Sequence, residues 1–369
     1  MLTRYEPYFK EYLEKFKPYK GFWCYEDGVI LKGAIDLYVA TKNEYYWKFV
    51  EGYLNDFVDL NGDLKGYKMD EYNIDHVNSG KVLLFAYEKT KEERFMKAIE
   101  KQMDQVRTHP RIPMGNFWHK NRYPHQVWLD GLYMALPFYA EYEAKFNGHR
   151  QYEDVANQFL TVKNILKNEE TGLYYHAYDD SKSMFWCDEK TGLSKHCWLR
   201  AEGWLLMALI DCIDKMDEMI FEHQKALVDM LKDAIKDIVP YQDKETGLWR
   251  QVVDVANQEE NYLEVSGTAM VIYSILKGVR LNVIDESYKE VAVKALKGVL
   301  DVYGYEKEGN YHIGGICEVA GLGSFDGVKR DGSFEYYISE KIVPDEAKGI
   351  GPLMMAYAEY LLGGEVDGV

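Results

Sequence analysis

Six times along this chain an apolar stretch opens on a glycine, and five of those glycines follow a polar residue. The openings are Asp27-Gly28, Ser79-Gly80, Asp130-Gly131, Glu202-Gly203, Ser266-Gly267 and, without the polar residue, Ile350-Gly351. They lie 52, 51, 72, 64 and 84 residues apart. Glycine inside a helix is roughly 1 kcal/mol worse than alanine. A recurrent glycine there needs a reason, and close approach of two helices supplies one. Apolar residues at i, i+3, i+4 and i+7 predict helices over 4–17, 28–42, 44–59, 75–90, 92–106, 126–146, 150–167, 198–216, 220–239, 262–280, 284–301 and 346–362. Glycine-opened helices alternate with more amphipathic ones. The pattern predicts six helical hairpins closed into a ring, with six helices inside and six outside. The expected fold is all-α, a single (α/α)6 barrel over residues 1–369, with an open solenoid as the alternative. Gly172-Leu-Tyr-Tyr-His176 and Gly247-Leu-Trp-Arg-Gln-Val-Val253 read as short β-hairpins between helices. Residues 304–345 read as glycine-rich loop with short helical or strand pieces.

Charge narrows the partners. Lys and Arg total 44 against 61 Asp and Glu, for a formal charge of −17. That balance argues against nucleic acid and against an anionic membrane surface. An anion would need a locally positive pocket, and the N-termini of six inner helices gathered at one end of a ring would provide it. No apolar run approaches the ~20 residues of a bilayer span. The first ten residues carry charges where a signal peptide is apolar. The five cysteines, Cys24, Cys187, Cys197, Cys212 and Cys317, include no CxxC pair. A cytoplasmic protein without a disulfide framework or zinc module is expected. Tyr, Phe and Trp number 31, 15 and 8. Such aromatic content serves core packing, and it also suits the stacking of sugars.

Three segments concentrate chemistry. Trp118 to Ala135 places His119 and Lys120 before a helix whose first turn holds Asp130 beside Trp128. An Asp there complements the helix dipole. A carboxyl among aromatics can also be held protonated and act as an acid. Asp75 opens another inner helix, either as its N-cap or as a second carboxylate facing the same cavity. Two carboxylates flanking one sugar bond are the usual requirement for glycoside cleavage. Lys195 to Trp204 brings Trp198 and Trp204 as stacking faces. Arg200 there serves as a two-pronged partner for a carboxylate, or as the partner of an acid of the chain itself. His176 is a lone loop histidine. HExxH, Walker A, GxGxxG and GxSxG motifs are absent. No metal and no cofactor are expected.

Taken together these segments resemble a known family. Asn73-Ile-Asp-His-Val-Asn-Ser-Gly80, Phe117-Trp-His-Lys120, Tyr123-Pro-His-Gln-Val-Trp-Leu-Asp-Gly-Leu-Tyr-Met134 and Trp198-Leu-Arg-Ala-Glu-Gly-Trp204 are similar to the unsaturated rhamnogalacturonyl hydrolases, glycoside hydrolase family 105. Ser266 to Met270, Val319 to Gly323, Arg330 to Glu340 and Lys348 to Pro352 extend the likeness over nearly the whole chain. The resemblance implies an (α/α)6 barrel. It also implies hydration of the double bond in a 4,5-unsaturated uronic acid left at a non-reducing end by a pectin lyase. Asp130 matches the general acid/base and Asp75 the second active-site aspartate. His119, His176, Trp198, Arg200 and Trp204 match substrate-binding positions, and Tyr25 and Lys120 do so on fewer matched neighbours. The implied products are rhamnose and a 5-keto-4-deoxyuronate, and the implied partner is an unsaturated oligosaccharide, met by a monomer or dimer. Glu202 departs from the family pattern, and its charge is expected to bear on Asp130 or on the leaving sugar. Three other readings remain: action on unsaturated glucuronyl chains, a sugar 2-epimerase of the same fold, and a non-catalytic carbohydrate-binding ring. An epimerase would need paired histidines on inner helices, whereas these lie mainly in loops.

Overall fold

The computed structural model describes residues 2–216, 221–325 and 327–364. Its helices are α1 Tyr5–Lys15, α2 Tyr25–Thr41, α3 Glu44–Phe57, α4 Gly80–Thr90, α5 Glu93–Thr108, α6 Leu129–Phe146, α7 Tyr152–Leu166, α8 Leu199–Lys215, α9 Phe221–Ile238, α10 Val265–Arg280, α11 Tyr288–Tyr303, α12 Phe334–Ser339 and α13 Ala347–Leu362. Every expected helix is present. Residue 220, at the start of one of them, lies outside the described residues.

Burial separates the two layers. In α10 every residue from Val265 to Gly278 is buried, as an inner helix surrounded by protein requires. In α5 the buried set is a stripe, with Phe95, Ala98, Ile99, Met103 and Val106 inward and charged residues outward. Helices α2, α4, α6, α8, α10 and α13 pack side by side in that order, and α13 returns to α2. Helices α3, α5, α7, α9 and α11 each back the inner helix before them. The sixth outer position belongs to α1. Tyr5 and Phe9 set their rings 5.3 and 5.9 Å from that of Tyr357 on α13. The ring therefore closes, and the open solenoid is excluded.

The recurrent glycines lie where inner helices touch. A Cβ on Gly351 would come 2.7 Å from the Val29 backbone, and one on Gly267 would come 2.4 Å from the Leu199 side chain. Gly131 differs, because its nearest neighbour is His119 Nδ1 at 3.3 Å.

Short antiparallel ribbons join the loops at this end. They pair β1 Gln126–Trp128 with β2 Ala177–Asp179, and β3 Trp249–Arg250 with β4 Leu263–Glu264. Beyond α11 come β5 Gly304–Lys307 with β6 Asn310–Ile313, β7 Ile316–Cys317 with β10 Ile342–Val343, and β8 Gly323–Phe325 with β9 Val328–Arg330. Of residues 172–176 only Tyr174 makes a strand-like bridge, to Lys167, and the strand begins at Ala177, pairing with β1 on one side and bridging from Tyr178 to Leu193 on the other. Helices α4, α6, α10 and α11 also start three to five residues later than expected. Residues 126–128 are strand, and Asp75 lies in a 3₁₀ turn over Ile74–Val77 ahead of α4. Among the described residues no helix is long and apolar enough to cross a membrane.

Candidate active site

The N-terminal ends of the inner helices gather at one end of the ring. Asp130 stands in the first turn of α6, directly after β1. The Leu129 amide donates to the His176 carbonyl at 3.1 Å, which ties the loop before β2 to the start of α6. His176 Nε2 thereby comes 3.2 Å from Asp130 Oδ2, at angles outside those of a hydrogen bond. On its other side, His176 Nδ1 is 2.7 Å from the Tyr337 hydroxyl of α12. Burial holds that phenol well above its ordinary range, so it keeps its proton. When Tyr337 donates to Nδ1, the neutral ring carries its proton on Nε2, toward Asp130.

Asp75 sits in a different setting. The Asn73 side chain accepts the Asp75 amide at 3.2 Å and caps the turn, so Asp75 is not itself the cap. Its carboxylate meets Lys120 Nζ at 2.5 Å and His119 Nε2 at 3.5 Å. Burial alone would raise its pKa, but the Lys120 ammonium and His119 outweigh burial and bring it down to about 2. Asp75 is thus an anion locked to a lysine. Burial pushes His119 down to about 4, so it is neutral, and the charges of both Asp75 and Asp130 reach it. One carboxylate is paired with an ammonium and the other faces an imidazole. Environments this unlike are how two carboxyl groups acquire separate roles.

Aromatic rings wall the site. Trp128 stacks on His119 at 4.4 Å and 9°, and Trp198 stacks on Tyr337 at 5.9 Å and 16°. Four buried polar atoms here have no hydrogen-bond partner in the protein: Asp130 Oδ2, His176 Nε2, His119 Nδ1 and Trp198 Nε1. Buried polar groups are nearly always paired. Four such atoms beside aromatic faces leave donors and acceptors that a polar ligand could satisfy.

Of the residues singled out by sequence, Asp75, Asp130, His119, Lys120, His176 and Trp198 converge here. Tyr25 is drawn in with them: burial raises its phenol well above the ordinary range, Glu26 and Asp75 add to that, and Arg200 opposes it. Arg200 is present but its fork is committed. Nε donates to Ser266 Oγ at 2.7 Å, one terminal nitrogen donates to the Cys317 carbonyl, and Glu264 lies 3.8 Å away. The expected two-pronged grip through those two nitrogens is therefore unavailable, and Arg200 contributes chiefly its charge. Trp204 lies one turn further along α8, 1% exposed, with its ring 5.0 Å from Tyr133. It packs in the core beneath the site. Sequence reasoning gave no role to Tyr337, although Phe334-Glu-Tyr-Tyr337 was an evident aromatic run.

Glu202 corrects another expectation. It is buried, but it turns away from Asp130 and accepts the Tyr174 amide. Burial raises its carboxyl from 4.5 to about 8, with Asp254 and Asp237 adding to the rise. The folded state then prefers the protonated form. This group's stabilisation is complete below the unfolded pKa and falls as pH rises toward 8. Glu202→Gln keeps an acceptor for Tyr174 and removes the titration. Relative to that variant, the wild type is expected to lose melting temperature between about pH 5 and about pH 9. Parallel melting curves across that range would refute this reading.

Paired carboxyl groups between aromatic faces at one end of a helical ring define a class, the sugar-cleaving enzymes. Comparison with known proteins agrees. Residues 3–362 match the family model described as Glycosyl Hydrolase Family 88. The chain belongs to that family and is a glycosidase. A solved family 105 glycoside hydrolase from Clostridium acetobutylicum is 41% identical, with a TM-score of 0.92 over 97% of this chain and 98% of that one. The chain is thereby a family 105 member, as the sequence motifs implied. Protein Atu3128 of Agrobacterium fabrum is 37% identical over 62% of this chain and 99% of its own length. The unsaturated rhamnogalacturonyl hydrolase YesR of Bacillus subtilis is 26% identical over 76% of each chain.

Proposed function

We propose that this glycosidase hydrates the C4=C5 bond of a 4,5-unsaturated uronic acid at the non-reducing end of rhamnogalacturonan lyase products. The observation that carries the reading is the contrast between Asp130, facing His176, and Asp75, locked as an anion to Lys120. Asp130, as the general acid, delivers a proton to C4. Positive charge then develops at C5 and on the ring oxygen, in reach of the Asp75 carboxylate. Water adds to C5, and its proton passes to the Asp130 carboxylate, which restores the acid. The hemiketal at C5 opens to a ketone and leaves the ring oxygen on C1. The hemiacetal formed at C1 then releases the neighbouring sugar. Tyr337 and His176 orient the acid, while Trp128 and Trp198 wall the site. Rhamnose as the leaving sugar is supported by the name of YesR and by the motifs shared with its class.

The test is the ultraviolet absorbance of an unsaturated galacturonyl–rhamnose disaccharide incubated with the protein. Loss of absorbance with release of one equivalent of rhamnose is expected. Persistent absorbance with this substrate, alongside loss with an unsaturated glucuronyl disaccharide, would transfer the activity to glucuronyl chains. Persistence with both would overturn the reaction.

A further inference from the structure

Beside Asp75 the protein surface opens into a groove of about 770 Å³. Lys20, Lys68, Lys120 and Arg122 line it with the aromatic rings of Phe22, Tyr123 and Phe325, and among the described residues Glu71 is the one carboxylate in its lining. Lys20 meets Glu26 at 2.6 Å, Lys68 meets Glu71 at 3.8 Å and Lys120 meets Asp75 at 2.5 Å, and in a chain of charge −17 the groove still gathers four cations, Arg122 the fourth. Lys120 belongs to both places, because the ammonium that holds Asp75 also lines the groove. The aromatic wall is continuous as well. Tyr123 stacks on Trp128 at 5.3 Å and 12°, and Trp128 in turn stacks on His119. The Arg122 guanidinium lies 5.0 Å from the Phe325 ring and 5.7 Å from that of Tyr123, which steadies an otherwise exposed cation. The neighbouring cavity, bordered by Tyr19, mixes signs, with Glu11, Glu318, Asp345 and Glu346 beside Lys15 and Lys17. An acidic chain leaving the site meets an excess of cations in the groove.

We propose that the groove is a subsite for a second acidic sugar, which lies beyond the leaving residue and has its carboxylate held by Lys68 and Arg122. The proposal rests on the hydration reading above, and it makes this protein a processor of longer acidic oligosaccharides rather than of disaccharides alone. Aromatic faces and cations in one groove suit a sugar ring that bears a carboxylate. Lys68 and Arg122 touch neither aspartate, so their charge acts on the added sugar and not on the reacting bond.

The experiment compares wild type with the Lys68→Gln/Arg122→Gln double variant on two substrates. One is the unsaturated galacturonyl–rhamnose disaccharide. The other is the tetrasaccharide that adds a further galacturonate and rhamnose. The double variant is expected to lose about tenfold in kcat/KM on the tetrasaccharide, through KM, and less than about twofold on the disaccharide. The tetrasaccharide rate of the wild type should also fall with added salt, because exposed charges are screened. Equal losses on both substrates, or no loss on either, would overturn the subsite. Calorimetric titration with a saturated galacturonate–rhamnose tetrasaccharide separates the two ideas, because it needs no double bond. Tenfold weaker binding by the double variant would uphold the groove even if hydration failed. Unchanged binding would remove the groove and leave the hydration reading standing.

Discussion

The Asp130→Asn variant is expected to turn over its unsaturated substrate about 10³-fold more slowly than wild type while binding it within about threefold, since a positioned general acid/base contributes roughly 10² to 10⁴. The amide has the shape of the carboxyl group but cannot release a proton to C4 or accept one from the attacking water. No side-chain hydrogen bond caps the start of α6, so the change to Asn breaks no cap. An unaltered melting temperature alongside lost turnover would separate chemistry from folding. Retention of more than about a tenth of the wild-type rate would remove Asp130 from the reaction. In heavy-oxygen water, the wild type should place the label on C5 of the keto-uronate product, read before carbonyl exchange spreads it. Label at the anomeric carbon alone would mean conventional two-carboxylate hydrolysis.

The second large effect lies behind the site. Glu264 is fully buried at the start of α10, where it accepts the Ser266 amide at 3.0 Å, the Gly267 amide at 2.7 Å and, from across the loop, the Cys317 amide at 3.0 Å. It is also the acid 3.8 Å from the buried Arg200. Glu264→Ala leaves these donors without an acceptor and a buried guanidinium without its counter-charge. Breaking a buried ion pair from one side costs about 3–5 kcal/mol. The denaturation midpoint should fall accordingly, and KM should rise as Arg200 loses its anchor. Glu264→Gln retains an acceptor and should fall between the two. A loss below about 1 kcal/mol for Glu264→Ala would show that Arg200 is held by other means.

The barrel was readable in the chain because its signals are local. Inner helices are apolar on all sides and open on glycine, outer helices carry one apolar stripe, and both patterns repeat. Most of the site was readable for the same reason, since Asp75, His119, Lys120 and Asp130 lie in two short segments. What escaped notice depends on contacts distant in sequence. Sequence leaves Arg200 open between a fork for a ligand and the partner of an acid of the chain, and that acid, Glu264, is brought to it with Cys317 by another hairpin and a later loop. Tyr337 belongs to a short helix in a loop region with no periodicity to mark an inward face. The direction of Glu202 could have been derived. Two residues along a helix turn a side chain to the opposite face, so Glu202 must point away from whatever Arg200 faces. Trp204, four residues on, shares the face of Arg200 but lies about 6 Å deeper.

The pairing of α1 with α13 bears on how this molecule can come apart. A linear array of helical hairpins must finish each end with a specialised unit whose outer face is polar. Here the two ends of the array hide one another, and Tyr5 and Phe9 cover Tyr357 across nearly the full sequence. No hairpin is terminal, so none is free to fray from an edge. Parting any two neighbours exposes two apolar flanks at once, a situation in which loss of structure at one joint is resisted by all the others.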